Sequence, residues 1–146
     1  MTTSPTSQAQ LFTQNAVDFI TSEDLERKLQ RGGPLRVKFG MDPSSPDLHV
    51  GHMVQLRKLR DLQDAGHQIV LIVGDATAMV GDPSGRNKLR PQLTREQVEE
   101  NLVTYTEQAR LVLDMERTEV RRNSEWFDAM DFQAMLKLTS RMTVAR

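Results

Sequence analysis

The chain has 146 residues, enough for one domain with a real core. Its acidic and basic residues nearly cancel, to a formal net charge of −1, so no global field marks it out for nucleic acid or a membrane surface. It contains no cysteine, which excludes a disulfide scaffold and thiolate metal sites.

The start, Met1-Thr2-Thr3-Ser4-Pro5-Thr6-Ser7, is rich in Ser, Thr and Pro and reads as a frayed tail. It has neither the basic n-region nor the apolar h-region of a signal peptide. No apolar run reaches membrane-spanning length. A soluble, cytoplasmic chain with no membrane contact is the expectation. Two short helices are predicted over roughly 8–20 and 22–31, the second stopped by Gly32-Gly33-Pro34. These segments, residues 1–34, form an N-terminal tail with short helices.

Leu35-Arg36-Val37-Lys38-Phe39-Gly40-Met41 alternates, with Leu35, Val37, Phe39 and Met41 on one face and Lys38 and Gly40 on the other. That is a strand. A helix from His49 to about Ala65 follows, with Met53, Leu56, Leu59 and Leu62 toward the core and Gly66 as its stop. Ile69-Val70-Leu71-Ile72-Val73 is an unbroken aliphatic run, as in a parallel strand buried on both faces. Strand, helix, strand in this order predicts a right-handed crossover. Thr94 and Gln97 make a capping box for a long helix, with Val98, Leu102, Tyr105, Ala109 and Val112 as its buried stripe. Thr118-Glu119-Val120-Arg121 reads as a third strand and 131–146 as a helix. The class is α/β, a Rossmann-like parallel sheet over 35–146. It reads as incomplete, because the chain stops inside a helical pattern with no Gly or Pro, like half of a doubly wound sheet.

The chemistry concentrates after the first strand, in Gly40-Met41-Asp42-Pro43-Ser44-Ser45-Pro46-Asp47-Leu48-His49-Val50-Gly51-His52. A helix start offers unpaired N–H groups and a partial positive charge, which suits phosphate. His49 and His52 lie three apart and share a helix face. Three readings of the pair stay open on spacing alone. It could be a plain surface pair, or a metal pair, although zinc needs three protein ligands and the remaining histidine, His67, sits in the helix stop. In the third, both imidazoles donate to the phosphates of a nucleoside triphosphate. Gly51 between them lets an adenine ring approach the helix backbone.

Taken with Gly74-Asp75-Ala76-Thr77-Ala78-Met79-Val80-Gly81-Asp82-Pro83-Ser84-Gly85-Arg86, Asn123-Ser124-Glu125-Trp126 and Thr143-Val144-Ala145-Arg146, this stretch resembles the class I aminoacyl-tRNA synthetases. Among them it is most similar to the tyrosyl enzymes, and the likeness runs from about Leu35 to the end. The resemblance implies a tyrosine–tRNA ligase: ATP-dependent formation of tyrosyl-adenylate, then transfer to tRNA. It implies ATP as substrate with Mg²⁺ accompanying it, and a homodimer in the complete enzyme. It places Gly40, Asp42, Ser44, His49, Gly51 and His52 on ATP, with His49 and His52 catalytic. Arg86 and Arg90 become a clamp on the leaving pyrophosphate, and Thr77, Asp82, Asn123 and Trp126 line the tyrosine pocket. No resident metal is implied.

Each has a plainer alternative. Asp82-Pro83-Ser84-Gly85 is a good type I turn, and Arg86, Lys88 and Arg90 suit a solvated basic loop. Asn123 suits a strand-end cap, and Trp126 a core aromatic. Lys38 departs from the tyrosine that many tyrosyl enzymes carry there. The lysine-rich second signature of the family is absent from these 146 residues. The expectation is therefore a fragment with feeble adenylation activity alone. A nucleotidyltransferase of the HxGH type, or a non-catalytic nucleotide-binding fragment, are the rival readings.

Overall fold

The computed structural model describes residues 5–80 and 92–141. Helix α1 (Pro5–Thr13) ends well short of the predicted limit near 20 and starts at Pro5, so residues 5–7 are helical rather than part of a frayed tail. Asn15 takes a left-handed conformation (φ 61°) just past the helix end, a conformation that closes helices, and Val17 and Ile20 beyond it lie in solvent rather than on a buried stripe. Thr21 caps α2 (Ser22–Gln30), its hydroxyl accepting from the Asp24 N–H at 3.2 Å.

Strand β1 (Arg36–Met41), helix α3 (Val50–Asp64) and strand β2 (Gln68–Val73) form the expected crossover, with Gly66 at φ 94° closing α3. A short helix α4 (Asp75–Val80) follows β2 at once. Its six residues are too few to show a period. Helix α5 (Arg95–Arg110) starts at the predicted Thr94–Gln97 box, and a single 3₁₀ turn (Met115–Arg117) leads into β3 (Thr118–Arg122). One-turn helix α6 (Ser124–Phe127) and helix α7 (Phe132–Thr139), capped by Asp131, end the described chain. The predicted helix over 131–146 is thus seen to Thr139, and residues 142–146 lie outside the described residues.

The sheet is parallel, in the order β1-β2-β3. Register pairs Val37 with Ile69 and Phe39 with Leu71, so one face of both strands meets the core. That core gathers Met41, Leu56, Leu59, Leu62, Ile69, Leu71, Tyr105, Ala109 and Leu113 between the sheet, α3 and α5. Met53 is 40 % exposed, because it falls in the first turn of α3, beyond the reach of the sheet. No helix among the described residues is long and apolar enough to cross a membrane.

Candidate active site

The carboxyl ends of β1, β2 and β3 converge on one edge of the sheet, where open α/β sheets place their ligands. Backbone bonds stitch the three ends together, from Gly74 N–H to the Met41 carbonyl and from Asn123 N–H to the Val73 carbonyl, both at 2.9 Å. A side-chain relay runs over them. Asn123 Nδ2 donates to Thr77 Oγ1 at 2.9 Å, and Thr77 Oγ1 lies 3.0 Å from Asp42 Oδ1. Asn123 Oδ1 also accepts from the Ala76 N–H at 2.9 Å. Three of the sequence-selected residues, Asp42, Thr77 and Asn123, therefore meet in one network.

Two residues beside this network, Gly74 and Asp75, are part of the resembling stretch but have no role assigned from sequence. A Cβ on Gly74 would stand 1.8 Å from Asp42 Oδ1 and 2.5 Å from Thr77 Oγ1, so only glycine lets Asp42 reach in. Asp75 is buried and accepts from the Ala76 and Ser124 N–H groups and the Ser124 hydroxyl, at 2.9, 3.0 and 2.7 Å. Burial pushes its carboxyl up. The Ser124 and Ala76 bonds, with the Arg122 guanidinium, outweigh that and hold it below its ordinary value.

The chain leaves β1 through Asp42 and Pro43 and reaches α3 at His49, which is the N-cap. His49 Nδ1 accepts from the Gly51 N–H at 3.1 Å, and His52 Nδ1 accepts from the His49 N–H at 3.2 Å. The two rings stack, their centroids 4.0 Å apart. Because both Nδ1 atoms accept, both imidazoles are the neutral tautomer with the proton on Nε2. The far edge of each ring is therefore a hydrogen-bond donor. Burial lowers the His52 pKa, and the neighbouring His49 lowers it further, which favours the neutral ring.

Gly51 has a second reason to be glycine. A Cβ there would come within 2.9 Å of His49 Cε1 and 3.0 Å of Nδ1, against the ring that caps the helix. Gly40 lies exposed on the open face of β1, and Ser44, also exposed, donates its N–H to the Asp42 carbonyl at 2.8 Å. Trp126 is 38 % exposed on α6 beside Phe127, so it is not the core aromatic that was one of its readings. Asp82, Arg86 and Arg90 lie outside the described residues. Among those described, no three His, Asp or Glu side chains stand where they could share a metal ion. The cleft of about 500 Å³ between α1, α2 and β1, bordered by Phe12, Lys28 and Lys38, contains none of the candidate residues.

A family model described as tRNA synthetases class I (W and Y) matches residues 30–146. A tyrosine–tRNA ligase of Thermotoga maritima is 56% identical over 142 residues, which is 97% of this chain and 35% of the relative. One from Burkholderia thailandensis is 49% identical over 162 residues, 100% of this chain and 39% of the relative. This chain thus spans little more than a third of the length of these curated relatives. Among solved structures, the tyrosyl-tRNA synthetase of Archaeoglobus fulgidus complexed with L-tyrosine matches with a TM-score of 0.79 at 27% identity, covering 97% of this chain and 41% of that one. The Aeropyrum pernix enzyme, at 19% identity and a TM-score of 0.75, shares the fold.

Proposed function

Because the chain belongs to the class I tRNA synthetases of the tryptophan and tyrosine type, we propose that it builds the ATP-facing part of a tyrosine-activating site. The observation that carries this reading is the pair of Nε2–H donors on His49 and His52, set at a helix start beside the Asp42–Thr77–Asn123 relay.

In the proposed reaction a carboxylate oxygen of tyrosine attacks the α-phosphorus of ATP. The bond to the bridging oxygen breaks, and pyrophosphate leaves with that electron pair. Tyrosyl-adenylate remains, and a tRNA hydroxyl then attacks its carbonyl and releases AMP. His49 and His52 hold phosphate oxygens through Nε2–H while negative charge moves toward the leaving group, so their bonds strengthen in the transition state. Asp42, Ser44, Gly40 and Gly51 lie along ATP. Thr77, Asn123 and Trp126 stand toward tyrosine, with Asp82 for its ammonium group. Arg86 and Arg90 neutralise the pyrophosphate. Mg²⁺ travels with the triphosphate and supplies charge neutralisation there. The longer enzyme works on tRNA as a cytoplasmic homodimer. Residues 35–146 then form the first half of its catalytic domain, behind the tail and helices of 1–34.

Positioning and charge account for the rate, with no covalent role for a side chain. The test is titration of the chain with ATP, with and without tyrosine, followed by tyrosine-dependent exchange of labelled pyrophosphate into ATP. Saturable ATP binding that His49→Ala weakens about tenfold or more is expected, from the loss of a hydrogen bond to a charged group. Exchange is expected to be slow and to require tyrosine. Exchange indifferent to tyrosine points instead to a nucleotidyltransferase, and ATP binding unchanged in His49→Ala removes the phosphate role.

A further inference from the structure

The loop that presents His49 and His52 is gripped from one side by a polar stripe on α5. Asn101, Tyr105 and Gln108 recur at i, i+4 and i+7 and so share a face. Asn101, buried, donates through Nδ2 to the Pro43 carbonyl at 2.9 Å. The Tyr105 hydroxyl lies 3.2 Å from Ser45 Oγ, and its ring meets His52 edge-on at 6.1 Å. Gln108 makes the closest contacts. Its Oε1 accepts from the Leu48 N–H and its Nε2 donates to Asp47 Oδ1, both at 2.7 Å.

We propose that Gln108 is a positioning residue for the His49–His52 pair, acting through the Asp47 carboxylate and the Leu48 backbone N–H. Residues Ser44 to Asp47 are exposed, and α5 is the element whose side chains reach them across the fold. Leu48 immediately precedes the N-cap, so fixing its N–H fixes where the cap begins and how the His49 ring meets Gly51. A single planar carboxamide with one donor and one acceptor suits this task. It satisfies a backbone N–H and a carboxylate at once, and pre-setting a loop in its working shape lowers the ordering cost of binding. The consequence for nucleotide affinity rests on the reading of the helix start as an ATP site; the positioning itself does not.

The test uses the chain in solution NMR. Amide exchange is read at Leu48, His49 and Gly51, and ring-nitrogen shifts report the tautomers of His49 and His52. Gln108→Ala removes both bonds and is expected to speed exchange at Leu48 about tenfold, the scale of one lost hydrogen bond. The His49 ring is expected to lose its single tautomer. Gln108→Glu alone sets a carboxylate against Asp47 and is expected to loosen the loop further. Adding Asp47→Asn reverses the polarity of the contact, because the carboxylate still accepts from Leu48 while the amide at 47 donates. That double variant is expected to restore both exchange protection and the ring tautomer.

A merely structural role lowers the melting temperature of every variant and leaves the ring signals of the folded protein unmoved. That pattern, or unaltered Leu48 exchange in Gln108→Ala, overturns the proposal. If Gln108→Ala does not fold, failure of the double variant to restore what Gln108→Glu loses is decisive against it. ATP added to the same samples reads the nucleotide site separately. No shift of the His49 and His52 signals in the unmodified chain sinks the ATP reading and leaves the positioning result standing.

Discussion

At the scale of single residues, glycine and histidine decide most of what this chain can do. Gly51→Ala gives the clearest separation of stability from function. Alanine suits a first helical turn better than glycine, by up to about 1 kcal/mol. Its Cβ, however, would crowd the His49 ring at 2.9 Å and turn it off the Gly51 N–H, giving up a cap bond of about 1 kcal/mol. The variant is expected to melt within a few degrees of the parent and to bind ATP at least about tenfold more weakly, by calorimetry. His67 sets a different test. Its Nδ1 accepts from the Leu35 N–H at 3.2 Å, its Nε2 is buried without a partner, and Phe12 lies 5.0 Å away, ring to ring. Burial lowers its pKa, so the folded chain refuses a proton that the unfolded chain accepts near 6.5. Stability is therefore full above about pH 7 and declines as pH falls below about 6.5, until His67 also charges in the fold. His67→Gln removes this titration and is expected to flatten the fall in urea midpoint between about pH 7 and pH 5. Parallel curves for the two proteins would refute it.

At the scale of elements, the fold depends on side chains that replace missing backbone partners. Gln63, fully buried in α3, donates to the Asp114 carbonyl at 2.9 Å and to Thr118 Oγ1 at 3.0 Å, and accepts from the Asp114 N–H at 2.9 Å. It thereby fixes the entry to β3. Gln63→Leu keeps the volume and leaves the Asp114 N–H without its partner, while the Asp114 carbonyl keeps the Thr118 hydroxyl, at an expected cost of about 1–3 kcal/mol in chemical denaturation. A neutral result would mean that water replaces those bonds. The long elements were legible because period and caps agree. β1, α3, β2 and α5 each carry both a hydrophobic pattern and a stop or start residue. α4 and α6 were not, since six and four residues cannot show a helical period. The His49–Gly51–His52 start was legible from spacing, whereas Gly74 was not, because its necessity comes from Asp42, 32 positions earlier in the chain. The stripe of Asn101, Tyr105 and Gln108 was visible in spacing. Its apolar neighbours made Tyr105 read as core, which it also is, and hid the polar edge beside it.

At the scale of the molecule, the described sheet has three strands, with β1 at one edge. Leu35 and Met41 turn their carbonyls toward β2, so Arg36, Lys38 and Gly40 turn their backbone groups to the open side. Arg36 and Lys38 are exposed, and charge on an edge strand discourages pairing with a second chain. Replacing both by valine is expected to raise light scattering at fixed concentration while the far-ultraviolet spectrum of dilute protein stays unchanged. Equal scattering would show that the edge is guarded otherwise. The exposure of the histidine pair carries a further consequence. His49 is exposed and His52 half-buried. Electrostatic attraction scales inversely with the effective dielectric constant, so an N–H contact to a charged oxygen is about fourfold stronger where that constant is near 20 than in bulk water, where it is about 80. The same two N–H groups are therefore weak anchors while water surrounds them and strong ones once it is driven off. What sets their catalytic worth is how completely solvent is shut away from the triphosphate at the moment of transfer.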